Sequence, residues 1–431
     1  MIVIIGVTSA GKTTYITQMS GVGGNVINFH EIRPWTSLKN KTVHINIFKI
    51  LDAKNILNRI RLFKVFREVR RVNGSVHIIA CNKEEVLNRI SKRKFEDDTE
   101  RALYNSDSWF ERVSSLNFAL VYETLILSLE SLGLPVVCVW SQGDRFEHVK
   151  RYSFGALFRG DDLGSHLYNS LDINPSQAGE YQSISLGSGV KTSGQVRAES
   201  ILKSLSIINE DDSILDVGSA IGALVFSAKN ISSGKVVGFE PMSKRYDFSS
   251  QLRNYFNLDC ELENSTIDAL PSEERFDHVY CLNVLHHVVD FTVVLRLIVN
   301  SCNKTLTLEL PHVNDNKFFD TLGRPFFINR KNIPLIGVSL ESADQTFVYN
   351  ASAIVRIIRL ITVRNFEYEI LDSPFSRRYI IRIYFDGYKV PPSKSIIMLT
   401  RSFRRMHASD CQLVRFLYNI FIRKNKSKEQ V

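Results

Sequence analysis

Residues 214–226 read ILDVGSAIGALVF, and this stretch says most about how the 431-residue chain is built. Ile214 and Leu215 lead into an acid, Asp216, and a turn punctuated by Gly218 and Gly222 follows before a second apolar run opens. Branched aliphatic residues ahead of the turn suit a buried strand, and Ala, Leu and Phe after it suit a helix. A strand–glycine turn–helix gathers backbone N–H groups and a helix N-terminus at one point, which favours a polar ligand there.

Working outward, apolar strands alternate with helical stretches from about 181 to 386, as in an α/β domain with a mostly parallel sheet. VVGFEP puts Glu240 at the end of the next strand, and NSTIDAL offers Asp268. FDHVYCLNVLHHVVD reads as a strand and turn holding Asn283, His286 and His287, and TLTLELP as a strand with Glu309. FEYEILDSP and RRYIIRIYF read as two strands joined by a turn. This order of motifs resembles class I S-adenosylmethionine methyltransferases, whose first motif is DxGxxxG. The resemblance implies that Asp216, Gly218, Gly222, Glu240, Asp268 and Asn283 hold the cofactor, with Glu240 on the ribose hydroxyls. His286 and His287 then stand where the methyl acceptor arrives, as a general base or as part of the site's rim. The approach EYQSISLGSGVKTSGQVRAESIL is similar to methyltransferases that fold an N-terminal lid over the cofactor, the tRNA wobble-uridine group among them; Tyr181, Gln182 and Lys191 are the lid candidates.

A second glycine loop stands almost at the N-terminus, where Gly6–Thr13 reads GVTSAGKT. GxxxxGK[ST] between a strand (IVII) and a helix (TTYITQM) is a phosphate-cradling loop. Gly6 and Gly11 let backbone N–H groups curl towards a nucleoside triphosphate, ATP or another. Lys12 reaches its β- and γ-phosphates, Thr13 ligates Mg²⁺, and Thr14 beside it is a further nucleotide-binding candidate. Strand candidates NVINF, TVHINIFKI, SVHIIA and PVVCVW follow, with helices at 53–72, 83–92 and 109–132. SVHIIACNKEEVLNRISKRK resembles the strand and arginine-bearing lid helix of small P-loop kinases, which implies that Arg89 and Arg93 close over the transferring phosphoryl group. Glu31 and Asp52 are the candidate bases, and Asp52 is also a candidate metal acid. The helix at 53–72 carries Lys54, Arg59, Arg61, Lys64, Arg67, Arg70 and Arg71 against Glu68, either a solvated face or a dock for an anionic acceptor.

Composition bounds the rest. With 44% hydrophobic and 23% charged residues, the chain is expected to fold as a globular protein. Its apolar opening reads as a buried strand rather than a signal peptide. Cys81, Cys138, Cys260, Cys281, Cys302 and Cys411 show no CxxC or metal-ligand spacing, so reduced thiols and a cytoplasmic setting are expected. The net charge is +9, yet residues 387–431 hold ten Lys or Arg and two acids, so +8 of it belongs to a tail. KSIIMLTRSFRRMHASDCQLVRFLYNIFIRK intersperses apolar and basic residues at helical spacing, a pattern suited to an anionic membrane surface, RNA, or packing on the protein itself.

The expected organisation is therefore two doubly wound α/β domains and an appendage: a P-loop kinase fold at 1–155, a linker at 156–180, a Rossmann-like methyltransferase fold at 181–386, and a basic amphipathic helical tail at 387–431. Two cofactor loops in one chain point to successive steps on one acceptor. The combination resembles bacterial kinase–methyltransferases that end O-antigen chains with methyl phosphate, although there the methyltransferase leads and the kinase is of the protein-kinase type. That resemblance implies a glycan acceptor and a tail peripheral to the inner membrane or bound to glycan-assembly proteins. Two alternatives stay open: an RNA end- or base-modifying enzyme, and a methyltransferase regulated by a nucleotide-binding domain.

Overall fold

The computed structural model describes residues 1–7, 10–20, 25–33, 36–47, 50, 56–92, 110–111, 113–168, 174, 182–187, 190–195, 197–311, 334–338, 347–375 and 378–388. These fall into two compact units, one taking in the described residues up to 177 together with Ser183–Leu202, the other Gln182 and the residues from Lys203 onward.

In the first unit, β1 (Ile2–Gly6) has Val3, Ile4 and Ile5 fully buried, as an apolar run in the middle of a parallel sheet must. It runs through the glycine loop into α1 (Lys12–Ser20). Then come β2 (Val26–Asn28), β3 (Thr42–Asn46), α2 (Ile56–Arg71), β4 (Ser75–Ala80), α3 (Lys83–Ser91), α4 (Phe118–Ser131), β5 (Val136–Gln142), β6 (Arg145–Val149) and α5 (Phe154–Phe158). The sheet order is β2-β3-β1-β4-β5-β6, with β6 antiparallel and the other strands parallel. The chain leaves β1 towards β2, returns to β3 beside β1, and crosses to β4 on the other side. The carboxyl end of β1 is thus a switch point, the place where open α/β sheets form a crevice for ligands.

Several boundaries differ from the sequence expectation. The helix at 53–72 is Ile56–Arg71, and residues 51–55 lie outside the described ones. The stretch 109–132 is not one helix: Asn117 accepts the Leu120 N–H at 3.0 Å through its side chain and caps a fresh start at Phe118. The strand β6 was not foreseen, since RFEHV carries no apolar alternation; it pairs with β5 after a turn at Gly143. The linker also begins later than 156. Phe158 of α5 packs on Trp140 with ring centroids 5.3 Å apart, and Leu167 bridges to Val149. The hairpin β7 (Ser185–Gly187) and β8 (Val190–Lys191) groups with this unit, although the sequence opened the methyltransferase domain at 181. Arg151, fully buried, is held by Glu123 and Glu130, each at 2.8 Å.

After α6 (Ala198–Leu205), the second unit continues with β9 (Ile214–Val217), α7 (Ala223–Ile231), β10 (Val236–Phe239), α8 (Ser243–Phe256), β11 (Glu261–Glu263), β12 (Phe276–Leu282), α9 (Phe291–Asn300) and β13 (Cys302–Pro311). A short pair, β14 (Ile336–Val338) and β15 (Phe347–Tyr349), precedes α10 (Ala351–Ile361) and the expected hairpin β16 (Phe366–Asp372) and β17 (Arg378–Phe385). The main sheet runs β11-β10-β9-β12-β13-β17-β16, with β17 antiparallel to both its neighbours. Helix α9 and the inward stripe of α10 (Ile354, Ile358) bury against β12 and β13, closing one core. Among the described residues no helix is long and apolar enough to cross a membrane. The five described cysteines are buried free thiols, and the basic tail from 389 onward lies outside the described residues.

Candidate functional site

In the second unit the inner strand β9, between β10 and β12, delivers Asp216 to the start of the glycine turn. Gly218 has φ +80°, and a Cβ there would lie 2.2 Å from Val284 Cγ2, so glycine is required both by conformation and by the approach of the β12 turn. Ala220 is left-handed as well, at φ +53°, although it is not a glycine. Its N–H donates to Glu240 Oε2 at 2.9 Å, while Glu240 Oε1 accepts the Met242 N–H at 3.0 Å. Asn264 Nδ2 donates to the Glu240 backbone carbonyl at 2.9 Å. The acid at the end of β10 therefore fixes the loop after β9, a local strain of the kind found at ligand sites.

Asp216 and Glu240 are both buried. Burial, and then the neighbouring Glu240 charge, push the Asp216 carboxyl up to about 8. Two buried acids with no ion-pair partner among the described residues suit a ligand that brings positive charge and hydroxyl donors. S-adenosylmethionine does both, through its ammonium and sulfonium and its ribose. Gly222 caps α7, and Gln182 Oε1 accepts the Ala223 N–H at 3.0 Å, so this lid candidate closes the helix start instead of standing apart from it.

The remaining candidates are placed less evenly. Asn283 is buried at φ +65°, and its N–H donates to the Glu309 carbonyl at 3.0 Å. The Glu309 side chain is buried on β13 and accepts Ser373 Oγ at 2.5 Å. His286 is buried and His287 exposed, with ring centroids 4.0 Å apart. Asp268 is exposed and accepts the Thr266 hydroxyl. Lys191 is exposed on β8, and Tyr181 lies outside the described residues. Ala220, Met242 and Val284 escaped the sequence reading because their parts are played by backbone or by packing, and Asn264 because no motif marks its side chain. Only the VLHH turn hinted at Val284.

In the first unit residues 8 and 9 of the loop after β1 lie outside the described residues. Gly11 has φ +83°, and a Cβ there would press on Ser141 and Phe146 at 3.1 Å. Lys12 is buried and donates to the Val7 carbonyl, while Thr13 and Thr14 are exposed on the first turn of α1. Arg89 of α3 pairs with Glu85 and donates to the Gly143 carbonyl at 2.8 Å. Those contacts tie it to the β5–β6 turn, where the kinase resemblance had it swinging over a phosphoryl group. Arg93 and Asp52 lie outside the described residues. Glu31 follows β2 and is exposed; both of its oxygens accept from Asn28, and those bonds hold its carboxyl below the ordinary value. Asn46, an amide, pairs with Gly6 at the end of β3. Among the described residues no cluster of His, Cys, Asp and Glu could hold a metal ion.

Residues 215–304 match the family model described as a methyltransferase domain. With the sheet order and the Asp216–Glu240 cradle, this makes the second unit a class I S-adenosylmethionine methyltransferase domain, Rossmann-like in fold. The chain is 28% identical over 91 residues to the tRNA U34 carboxymethyltransferase of Campylobacter hominis, a match covering 21% of this chain and 32% of that protein. The chain thus spans about a third of the length of the curated relative it matches. Similar solved structures include the magnesium protoporphyrin IX methyltransferase ChlM of Synechocystis PCC 6803 with bound SAH (14% identity, 43% of this chain and 82% of that one, TM-score 0.33). Another is a putative S-adenosylmethionine-dependent methyltransferase from Listeria monocytogenes (12% identity, 44% and 97%, TM-score 0.33).

Proposed function

We propose that this chain is a two-step transferase: the second unit passes a methyl group from S-adenosylmethionine to an acceptor, and the first phosphorylates a hydroxyl of that acceptor from a nucleoside triphosphate. The observation that supports it is positional. Each glycine loop follows an inner strand of its own sheet, at the point where the strand order turns back. In the second unit Glu240 takes the ribose hydroxyls, Asp216 faces the cofactor's positive charge, and the turn with Asn283 and His286 lines the acceptor side. The bound cofactor supplies an electrophilic methyl on sulfonium; the domain's own work is to align the nucleophile with it. In the first unit Lys12 and the N–H groups of the loop hold the triphosphate, and Thr13 with Asp52 takes Mg²⁺.

A phosphate monoester made in the first step is already nucleophilic, so its methylation needs little base catalysis. This suits a methyl phosphate cap on a glycan, with the basic tail holding the enzyme to an anionic membrane surface. An RNA acceptor is the second reading, favoured by the likeness to a tRNA carboxymethyltransferase. The test is mass spectrometry of glycan and RNA acceptors incubated with ATP, with S-adenosylmethionine, or with both. Methylated phosphate that forms on glycan only when both are present supports the first reading; methylation of RNA without ATP replaces it.

A further inference from the structure

Strand β16 is the outermost of the second unit's sheet, with β17 as its neighbour on one side. Their register sets Phe366 opposite Phe385, Tyr368 opposite Ile383 and Ile370 opposite Ile381. Directly opposed residues share a face, and Phe385, Ile383 and Ile381 are buried in the core that α10 helps to close. The row Phe366, Tyr368, Ile370 therefore continues the core face of the sheet. Yet Tyr368 is 44% and Ile370 55% exposed, so the helix layer stops short of this edge. Phe366 is half-buried, with the Arg359 guanidinium of α10 5.9 Å from its ring centroid. Beside Arg359, Leu360 is 72% exposed, and Val363 just past the helix is fully exposed. Arg356 and Arg359 are exposed and one turn apart. Glu367 and Glu369 of β16 face the other way, and Glu369 pairs there with Arg382 at 3.2 Å. Asp372, opposite Tyr379, is the acid at the far end of the apolar row.

We propose that this uncovered row and the end of α10 dock on an anionic phospholipid surface. Leu360, Val363, Tyr368 and Ile370 enter the headgroup layer, and Arg356 and Arg359 meet the lipid phosphates. This rests on, and extends to the folded domain, the membrane placement given above to the basic tail. Charge and continuity select this occupant. The tail leaves the sheet at the same corner: the Asp386 N–H donates to the Asn365 carbonyl at 2.8 Å, and Arg364 pairs with Asp386 at 2.7 Å. The chain thus enters its +8 segment, 387–431, beside Val363 and Phe366. Two copies paired across β16 would bring these positive charges together, whereas an anionic bilayer attracts both parts. Leu360, Val363 and Ile370 are aliphatic, which suits acyl chains better than the stacked bases of a nucleic acid. The cofactor loop follows β9, four strand spacings from β16 or about 19 Å, so docking at this edge leaves the Asp216–Glu240 site open.

The test uses the full chain and vesicles of phosphatidylcholine with or without phosphatidylglycerol. Val363→Cys, in a chain also carrying Cys411→Ser, takes an environment-sensitive fluorophore, since the other five cysteines are buried. Its emission should shift to the blue on the anionic vesicles, not on phosphatidylcholine alone, and added salt should reverse the shift. Leu360→Ser with Ile370→Thr should weaken co-sedimentation with anionic vesicles by about tenfold or more, at unchanged S-adenosylmethionine affinity. Arg356→Gln with Arg359→Gln should do the same, and tests the surface without touching its apolar row. Sedimentation of the labelled chain with no blue shift, or wild-type affinity in both double variants, overturns the patch and leaves the tail as the sole anchor. No sedimentation of wild type overturns the tail reading as well. A blue shift without vesicles that grows with protein concentration assigns the edge to a second copy, and one produced by RNA assigns it to nucleic acid; either overturns the proposal.

Discussion

Glu240 accepts the backbone N–H of Ala220 through Oε2 at 2.9 Å, joining the acid that follows β10 to a left-handed residue in the loop after β9. The same carboxylate accepts Met242, so the candidate ribose ligand also holds its own site together. Removing it acts twice.

Glu240→Ala should therefore weaken S-adenosylmethionine binding by tenfold or more, about 1–3 kcal/mol for the unmet hydroxyls. It should also lower Tm without cofactor, because two loop N–H groups lose their acceptor. Calorimetric titration and thermal unfolding measure the two effects separately. Unchanged affinity in a folded Glu240→Ala places the ribose elsewhere.

Gly218→Ala should abolish cofactor binding. A methyl group there meets Val284 Cγ2 at 2.2 Å, and the φ of +80° disfavours any side chain. Pairing it with Val284→Ala removes the clash but not the backbone strain, so only partial recovery is expected. Full recovery in the double variant would show that packing alone makes Gly218 necessary.

Asp216 makes stability depend on pH. Its carboxyl is raised from 3.8 unfolded to about 8 folded, so between those values the folded protein binds more protons than the unfolded chain. Stability then falls as pH rises through that window. Between about pH 6 and pH 9 the cofactor-free wild type should lose roughly 4 °C more in Tm than Asp216→Asn. Positive charge from S-adenosylmethionine favours the carboxylate, so cofactor affinity should rise with pH over the same range. Parallel Tm profiles for the two proteins would place the titration in another group.

Lys12→Ala should remove ATP binding and leave S-adenosylmethionine affinity unchanged, since the two loops belong to different units. Titrating each ligand into the variant checks both halves. No ATP binding by wild type withdraws the phosphoryl-transfer step.

Arg151→Ala should destabilise the first unit by about 3–5 kcal/mol, because it removes the cation that pairs with the fully buried Glu123. Glu123→Gln together with Arg151→Met should recover much of that loss. Denaturant unfolding of the two variants tests this, and equal loss in both would mean that the ion pair matters less than the packing around it.

How much of this was legible in the sequence follows from how far apart the interacting residues lie. Ile214–Phe226 carried its strand, turn and helix locally, because branched apolar residues and glycines at set spacing record burial and backbone freedom along the chain itself. The strand-end acids Asp216 and Glu240, the strand β1 and helix α1 that flank the N-terminal glycine loop, and the hairpin β16–β17 were readable for the same reason. The sequence did not show that Glu240 grips Ala220, that Val284 closes on Gly218, or that Arg151 is buried between Glu123 and Glu130. Nor did it show that Glu31, a plausible base by position, spends its carboxylate on Asn28. Those pairings join residues brought together by sheet order and crossover, and the same local pattern is compatible with many such orders. Only the packed chain, where the great majority of buried polar groups find a partner, selects one of them.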